Sequence, residues 1–553
     1  MVGCCFLVVE LPENHWIGRV VKELEARDDE KIVFSTAKTP SGPIHVGVGR
    51  ELVYCDVFEK ILRERGRKTE FLFFVDDFDS LKNFPPNIPK DFSTHKEFLG
   101  RPMYMVPCPY NHCESWGVHY AQELINTFPE FGLHPKIVWS SKLYQTVEMK
   151  NIIRLALNKV EKLRKIMVEV VGPTLQPQQL EKFREDMKEW FPCLVVCQNC
   201  GKLKPTKVLG WEPSTDTLTY ECTECGFKGE VKVKDWPVKL RWRIDWPAKW
   251  AIFKVSCEPA GKDHCVKGGA YDTGEKIVEE VFGWKGPYRI PYEWILLGEK
   301  AMKTHKGISF TFSEWLAVAP PEVYRYLVLR EEPRKHISFA PERLLQLIDE
   351  FEKTEKIYFG LEKPSNQIEE LNTKVVYPLS MPYQTPKTIP VRLPYRFAIV
   401  IAQLIPLLGR EKVLEKCFTI LKRLYKKEKL ELDEISAVEE RLKMAEYWVK
   451  HYAPEELKIN ISETIPKEVK NRLSEKQKEA LKIMLKKLEE KDWDEESLQY
   501  EVFEVGKKLG IGSKIFEAFY LIFLGKKFGP RLAPFLLSLE KDFVLQRLKE
   551  AVN

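Results

Sequence analysis

Four cysteines, Cys197, Cys200, Cys222 and Cys225, form the tightest chemical pattern in the chain: two CxxC pairs with twenty-one residues between them. Thiolates so paired suit a tetrahedral ion. A closed set of four sulfurs favours zinc in a structural ribbon, with no position left for a reactive water. A second pattern surrounds His45, in the loop Thr39-Pro40-Ser41-Gly42-Pro43-Ile44-His45-Val46-Gly47. An imidazole in such a loop, at the opening of a helix, can face a phosphate, because the first helical N–H groups lack partners. A third pattern starts at Lys239 and ends at Gly274, KLRWRIDWPAKWAIFKVSCEPAGKDHCVKGGAYDTG, where Trp242, Trp246 and Trp250 recur every four residues and a Gly turn carries Asp263 and His264.

The elements that must position these groups read as a parallel α/β sheet. An apolar run at 32–34 predicts a buried strand, and Leu52, Val53, Val57, Phe58 and Leu62 have helical spacing. A second apolar run at 71–75 ends in Asp76, Asp77, Phe78 and Asp79. Strand, loop, helix, strand is the opening unit of such a sheet. A further strand is predicted at 252–255, running into the loop at 258–274, and Pro247 argues against one continuous helix through the three tryptophans. The two strand-end loops would then meet across a switch point of one sheet, where ligands sit. The loop around His45 carries no GxxxxGK[ST], and Gly47-Val48-Gly49 alone is too little for a dinucleotide fingerprint.

Elsewhere the pattern predicts helices at 16–26, 120–128 and 143–171, and an irregular stretch at 83–90 with Pro85, Pro86 and Pro89. From about residue 320 the chain reads as helical, with buried stripes at Leu481, Met484, Leu485 and Leu488 and at Phe516, Phe519 and Phe523. The basic run at 422–429 reads as a solvated face.

With 553 residues the chain is long enough for three or four domains at roughly 150 residues each. Hydrophobic residues at 44% and charged residues at 30% mark a globular protein, and a net charge of +6 permits a polyanionic partner without requiring one. No apolar run is long enough to span a membrane. The apolar patch at 4–9 lacks the basic flank of a signal peptide, and the remaining thiols of the thirteen cysteines are scattered, so a cytoplasmic protein is expected.

The His45 loop resembles the HIGH-type ATP loop of class I aminoacyl-tRNA synthetases, in the TPSGxxHxG form. RWRIDWPxxW, EPAGKDH and YDTG, in this order, are similar to segments of class I lysyl-tRNA synthetases, as are FEKTEKIYFG at 351–360 and GKKFGPRLAPFLLSL at 525–539. The resemblance covers essentially the whole chain. It implies a Rossmann-like (HUP-type) parallel-sheet catalytic domain with an insertion carrying the zinc ribbon, followed by an all-α carboxyl-terminal anticodon-binding domain. The expected boundaries are 1–95 and 239–320 for the two halves of the catalytic domain, 96–238 for the insertion with its ribbon at 197–225, 321–400 for a helical junction, and 401–553 for the anticodon-binding domain.

The resemblance further implies a lysine-tRNA ligase that joins lysine to ATP, with Mg2+, as lysyl-adenylate and then transfers it to tRNA(Lys). A monomer without membrane attachment is expected. His45, Lys303 and Lys306 would place positive charge where the transition state is most anionic. Pro40, Gly42, Gly47, Gly261, Asp263 and Met302 would hold ATP. Ala37, Thr39, Trp242, His264 and Tyr292 would hold lysine, with Asp272 as an extra anion. Two positions and one segment depart from the family pattern: Ala37 replaces Gly, Val48 replaces the Asn of HxGN, and AMKTHKG at 301–307 replaces the mobile KMSxSKG loop, losing its first Lys while Lys300, Lys303 and Lys306 remain. These departures raise the alternative of a degenerate relative that binds tRNA as a scaffold or regulator.

Overall fold

The computed structural model describes residues 11–302, 309–459, 464–465 and 467–552. Two compact units emerge, one built from residues up to Trp315 with 320–340 and 353–387, the other from 316–319, 341–352 and the chain from Thr388 onward. The stretch at 321–400, expected as a separate junction, is thus divided between them.

The first unit begins with α1 (Trp16–Glu25), β1 (Ile32–Lys38), α2 (Gly49–Glu64), β2 (Thr69–Val75), α3 (Trp116–Ile125) and β3 (Lys136–Trp139). Two helices, α4 (Val147–Asn158) and α5 (Val160–Val171), lead to β4 (Cys193–Val195), β5 (Thr206–Glu212), β6 (Thr217–Cys222), β7 (Lys228–Lys232) and β8 (Val238–Leu240). Then come α6 (Trp242–Phe253), β9 (Cys257–Gly261), α7 (Ala270–Ile277) and β10 (Tyr288–Tyr292).

Five strands form one parallel sheet in the order β10-β9-β1-β2-β3. The order reverses between β1 and β9, which makes their carboxyl ends a binding crevice. β1 pairs with β2 along its whole length but with β9 only at Phe34↔Cys257, so the two strands part early and the crevice opens between them. Ile32, Val33 and Phe34 are buried, as a central parallel strand covered on both faces requires. The edge strand β3 lies inside the stretch expected to be inserted, so the first half of the sheet extends beyond residue 95. The inserted part proper is the β4–β8 pair and a three-stranded antiparallel ribbon of β5, β6 and β7.

Three local expectations need correction. The helix expected at 143–171 breaks into α4 and α5 around Lys159. The helix expected at 120–128 starts earlier, at Trp116, where Ser115 accepts the N–H of Val118 as a cap. The strand expected at 252–255 is instead the end of α6, which runs unbroken through Pro247. The proline lies only five residues into the helix and removes one hydrogen bond, while Trp250 is fully buried against Tyr271 with ring centroids 5.0 Å apart. Lys254 then stops the helix in the left-handed region at φ 56°, and the strand begins at Cys257.

In the second unit the helices Glu475–Glu490, Glu495–Lys508, Lys514–Leu524 and Lys541–Val552 pack around a shared apolar centre. Ser474 and Gln477 form a capping box, and Leu481, Met484, Leu485 and Leu488 are buried as the stripe predicts. Phe519 and Phe523 are buried too, whereas Phe516 is half-buried.

The contact between α6 and α7 makes a test of the packing. A Cβ on Gly274 would lie 2.8 Å from Cζ3 of Trp250, whose indole is also held by its Nε1–H on Glu258. Gly274→Ala is therefore expected to cost about 1–3 kcal/mol of stability, read as a lowered denaturant midpoint; an unchanged midpoint would contradict this packing.

Candidate functional site

A cavity of about 760 Å³ opens at the carboxyl ends of β1 and β9. One side is the loop after β1. Thr39 donates its hydroxyl to Asp79 at 3.0 Å, and the Pro40 carbonyl accepts the Trp116 indole N–H at 3.2 Å, so β2 and α3 brace the loop. His45 caps the short turn that leads into α2 and accepts the Gly47 N–H on Nδ1 at 3.1 Å. That hydrogen bond leaves the ring proton on Nε2. A Cβ on Gly47 would lie 2.7 Å from His45 Nδ1 and 3.4 Å from Cε of Met302, so only glycine lets the imidazole sit there.

Burial, and then the neighbouring Lys38 ammonium, push the His45 pKa down to about 3. The positive charge expected at this residue is therefore absent at neutral pH, and His45 is a neutral N–H donor.

The floor of the cavity is ionic. Asp245 lies 2.9 Å from both Lys239 and Lys249 and accepts the Tyr144 hydroxyl; Lys249 also pairs with Asp76, and Lys239 lies 3.6 Å from Asp79. All of Lys239, Lys249 and Asp245 are buried. Burial opposes ionisation of Asp245, but the two lysines more than offset it and hold the carboxyl below the usual range. For Asp79 burial prevails over Lys239 and raises the pKa.

The opposite wall is aromatic. Trp242, at the exposed end of α6, and Trp246 each meet the His264 ring at 5.5 Å. Beneath them Glu258 accepts the indole N–H groups of Trp246 and Trp250, at 2.8 and 2.6 Å, and the Ser35 hydroxyl. Burial pushes the Glu258 pKa up to about 7 against those three donors. On the other face of β1, the half-buried Glu51 of α2 accepts the hydroxyls of Thr36 and Tyr292, and burial raises its pKa.

The structure thus gathers Ala37, Thr39, His45, Trp242, His264 and Met302 on one cavity, with Tyr292 reaching it through Glu51. Pro40 and Gly47 shape the loop from behind. Gly261 leaves a Cβ 3.7 Å from the Tyr292 hydroxyl, an ordinary contact, so close approach within the chain does not demand glycine there. Gly42 is buried within the loop, and Asp263 is exposed beside His264. Asp272 does not line the cavity: its carboxylate is taken by Arg289 at 2.9 Å and by the Gly268 N–H at 2.9 Å. Lys303 and Lys306 lie outside the described residues. Sequence reasoning missed Glu51, Lys38 and the ionic floor; helical phase was the available signal for Glu51, which sits one turn and a half beyond His45.

Among the described residues, two groups of side chains could hold metal ions. Within Cys197, Cys200, Cys222 and Cys225 all ligand atoms lie within 4.8 Å of one another, with Sγ separations of 3.6 Å for Cys197–Cys225 and 3.8 Å for Cys200–Cys222. Tetrahedral zinc with Zn–S near 2.3 Å sets sulfurs about 3.8 Å apart, so the set fits that ion. Each knuckle turns through a left-handed glycine, Gly201 at φ 71° and Gly226 at φ 72°. The second group, Cys108, His112, Cys113 and His119, lies in the turn before and in α3, its ligand atoms likewise within 4.8 Å of one another. Its histidine nitrogens approach to 3.0 Å. The CxxxHC spacing was visible in the sequence, but only the fold of α3 brings His119 to it.

Residues 14–383 match the family described as tRNA synthetases class I (K), and residues 421–552 match an anticodon binding domain. A lysine-tRNA ligase of Methanocaldococcus jannaschii is 37% identical over 544 residues, covering 96% of this chain and 99% of that one. The lysine-tRNA ligase of Thermococcus kodakarensis is 35% identical over 97% of this chain and 99% of its own, and that of Pyrococcus horikoshii 34% over the same shares. Strand order, the braced His45 loop and this near full-length similarity agree: the chain belongs to the class I (K) family of tRNA synthetases.

Proposed function

We propose that the chain is a lysine-tRNA ligase, which activates lysine with ATP and passes it to tRNA(Lys). The observation that carries this reading is a half-buried carboxylate, Glu51, which accepts the Tyr292 hydroxyl and lines the same cavity as His45, Trp242 and His264. An anion there takes an ammonium, and the Trp242 and His264 rings of the same cavity suit the aliphatic part. Ala37 and Thr39 line the same slot. Glu51 replaces Asp272 in that role.

ATP lies across the loop, with Pro40, Gly42 and Gly47 shaping its bed and Gly261, Asp263 and Met302 facing it from the second half. The neutral His45 donates Nε2–H to a phosphate oxygen, and the opening turn of α2 adds its free N–H groups. Activation needs no acid or base: a carboxylate oxygen of lysine bonds to the α-phosphorus as the bond to the bridging oxygen breaks, and pyrophosphate leaves with the electron pair. Alignment and charge compensation are what the protein contributes. Lys303 and Lys306 bring cations to the departing pyrophosphate, and Mg2+ travels with the nucleotide. The helices at 421–552 read the anticodon. No described helix is long and apolar enough to cross a membrane, and we place the protein in the cytoplasm as a monomer. The reading of a tRNA-binding scaffold without activity draws no support from the site or from the relatives.

Zinc fits both cysteine-containing groups. In the ribbon it would hold the inserted strands; at Cys108, His112, Cys113 and His119 it would fix the start of α3, whose Trp116 braces Pro40. Metal analysis should give about two zinc per chain, with Cys222→Ala losing one of them; unchanged zinc in that variant removes the ribbon assignment. The activity is tested by lysine-dependent exchange of pyrophosphate into ATP, run with and without tRNA. Exchange is expected in at least one condition, and Glu51→Gln should raise the lysine requirement by about 10- to 100-fold. A protein inert in both conditions would refute the reading.

A further inference from the structure

Lys38 is the last residue of β1, and nothing in the site described so far uses its ammonium. Its backbone is fixed, because its carbonyl accepts the Asp76 N–H at 2.9 Å in continuation of the β1–β2 ladder. Alternation along the strand settles its direction. Ser35 reaches Glu258 on one face, whereas Thr36 reaches Glu51 on the other, so Lys38 leaves on the Thr36 side, toward the turn that carries His45. It lines the cavity together with His45, Glu51 and Met302.

The other buried lysines of the cavity, Lys239 and Lys249, are locked to Asp245, Asp76 and Asp79. Lys38 has neither an ion pair nor a hydrogen bond from its side chain among the described residues; even Glu51, whose field it feels, is not joined to it. Burial lowers its pKa, with Glu51 opposing. A half-buried ammonium facing a cavity without a partner is costly unless an anion from outside completes it. The same charge helps keep His45 neutral, so the two residues divide the work: one supplies an N–H, the other supplies charge.

We propose that Lys38 is a catalytic residue of lysine activation, its ammonium contacting a non-bridging oxygen of the ATP α-phosphate where the nucleotide meets the carboxylate of lysine. Its place between Glu51 and His45 puts it at the joint of the two substrates. As the carboxylate oxygen bonds to the α-phosphorus and pyrophosphate departs with its electron pair, no proton moves. The carboxylate brings its own negative charge to the α-phosphoryl group as it attacks, so a fixed cation on the non-bridging oxygens is worth more in the transition state than in bound ATP and lowers the barrier. The inference rests on the ligase reading above.

Lys38→Met and Lys38→Arg, with their melting temperatures and zinc content checked against the parent, provide the test. Single-turnover formation of lysyl-adenylate should fall about 100-fold or more in Lys38→Met, with lysine affinity within about twofold and most of the rate restored by arginine. Calorimetry needs no turnover: Lys38→Met should weaken ATP and AMP alike by about tenfold and leave adenosine unchanged. A parent that makes no adenylate, yet shows this loss for ATP and AMP, refutes the ligase reading while keeping the phosphate contact. Adenylate formation within about threefold of the parent, or adenosine weakened as much as AMP, overturns the proposal. So does tighter lysine binding with an unchanged rate, since Lys38 would then be a plug on Glu51.

Discussion

Asp245 and its two lysines hold the site together. β1 and β9 share only one pair of residues before they part, so backbone hydrogen bonding cannot fix the walls of the crevice against each other. The ionic floor does it instead: Asp76 and Asp79 come from the end of β2, Lys239 from β8, and Asp245 and Lys249 from α6. Breaking one partner of such a buried group typically costs about 3–5 kcal/mol, because the charge left behind has no water to receive it. Through Thr39, which donates to Asp79, the same cluster reaches the loop over which the nucleotide would lie.

Above that floor two environments sit side by side. On the His45 side, burial strips charge from an imidazole and leaves a directed N–H. On the aromatic side, burial raises Glu258 to about 7, and burial also raises Glu51 on the Thr36 face of β1. Glu258 is fully committed to Ser35, Trp246 and Trp250, so it fixes the rack of indoles rather than meeting a ligand. Glu51, with only two hydroxyls on it, keeps the capacity to accept an ammonium.

Much of this was legible in the sequence because it is local. The strand and loop before α2, the four-cysteine ribbon and the buried stripe at Leu481, Met484, Leu485 and Leu488 each follow from spacing within a short window. The errors have physical causes of the opposite kind. The end of α6 reads as a strand in the sequence because Ile252 and Phe253 suit either element, and because the helix stops at a lysine in the left-handed region where no glycine signals a stop. β3 is only four residues long, too short to show a period. Asp272 looked like a free anion until the fold placed Arg289 beside it, and the partnership of Glu51 with Tyr292 spans 241 positions of chain. Sequence alone leaves His45 its charge, because burial, which removes it, is a property of the folded cavity.

The central claim is that this cavity selects a side-chain ammonium at a fixed distance from the phosphate loop. Attachment of amino acids to a tRNA(Lys) transcript, with lysine set against ornithine and arginine at equal concentration, tests it most directly. The account predicts lysyl-tRNA in preference to either competitor by about 100-fold or more, since a half-buried Glu51 left unpaired or misplaced costs a few kcal/mol. Equal charging of the three amino acids, or none of them, would contradict it.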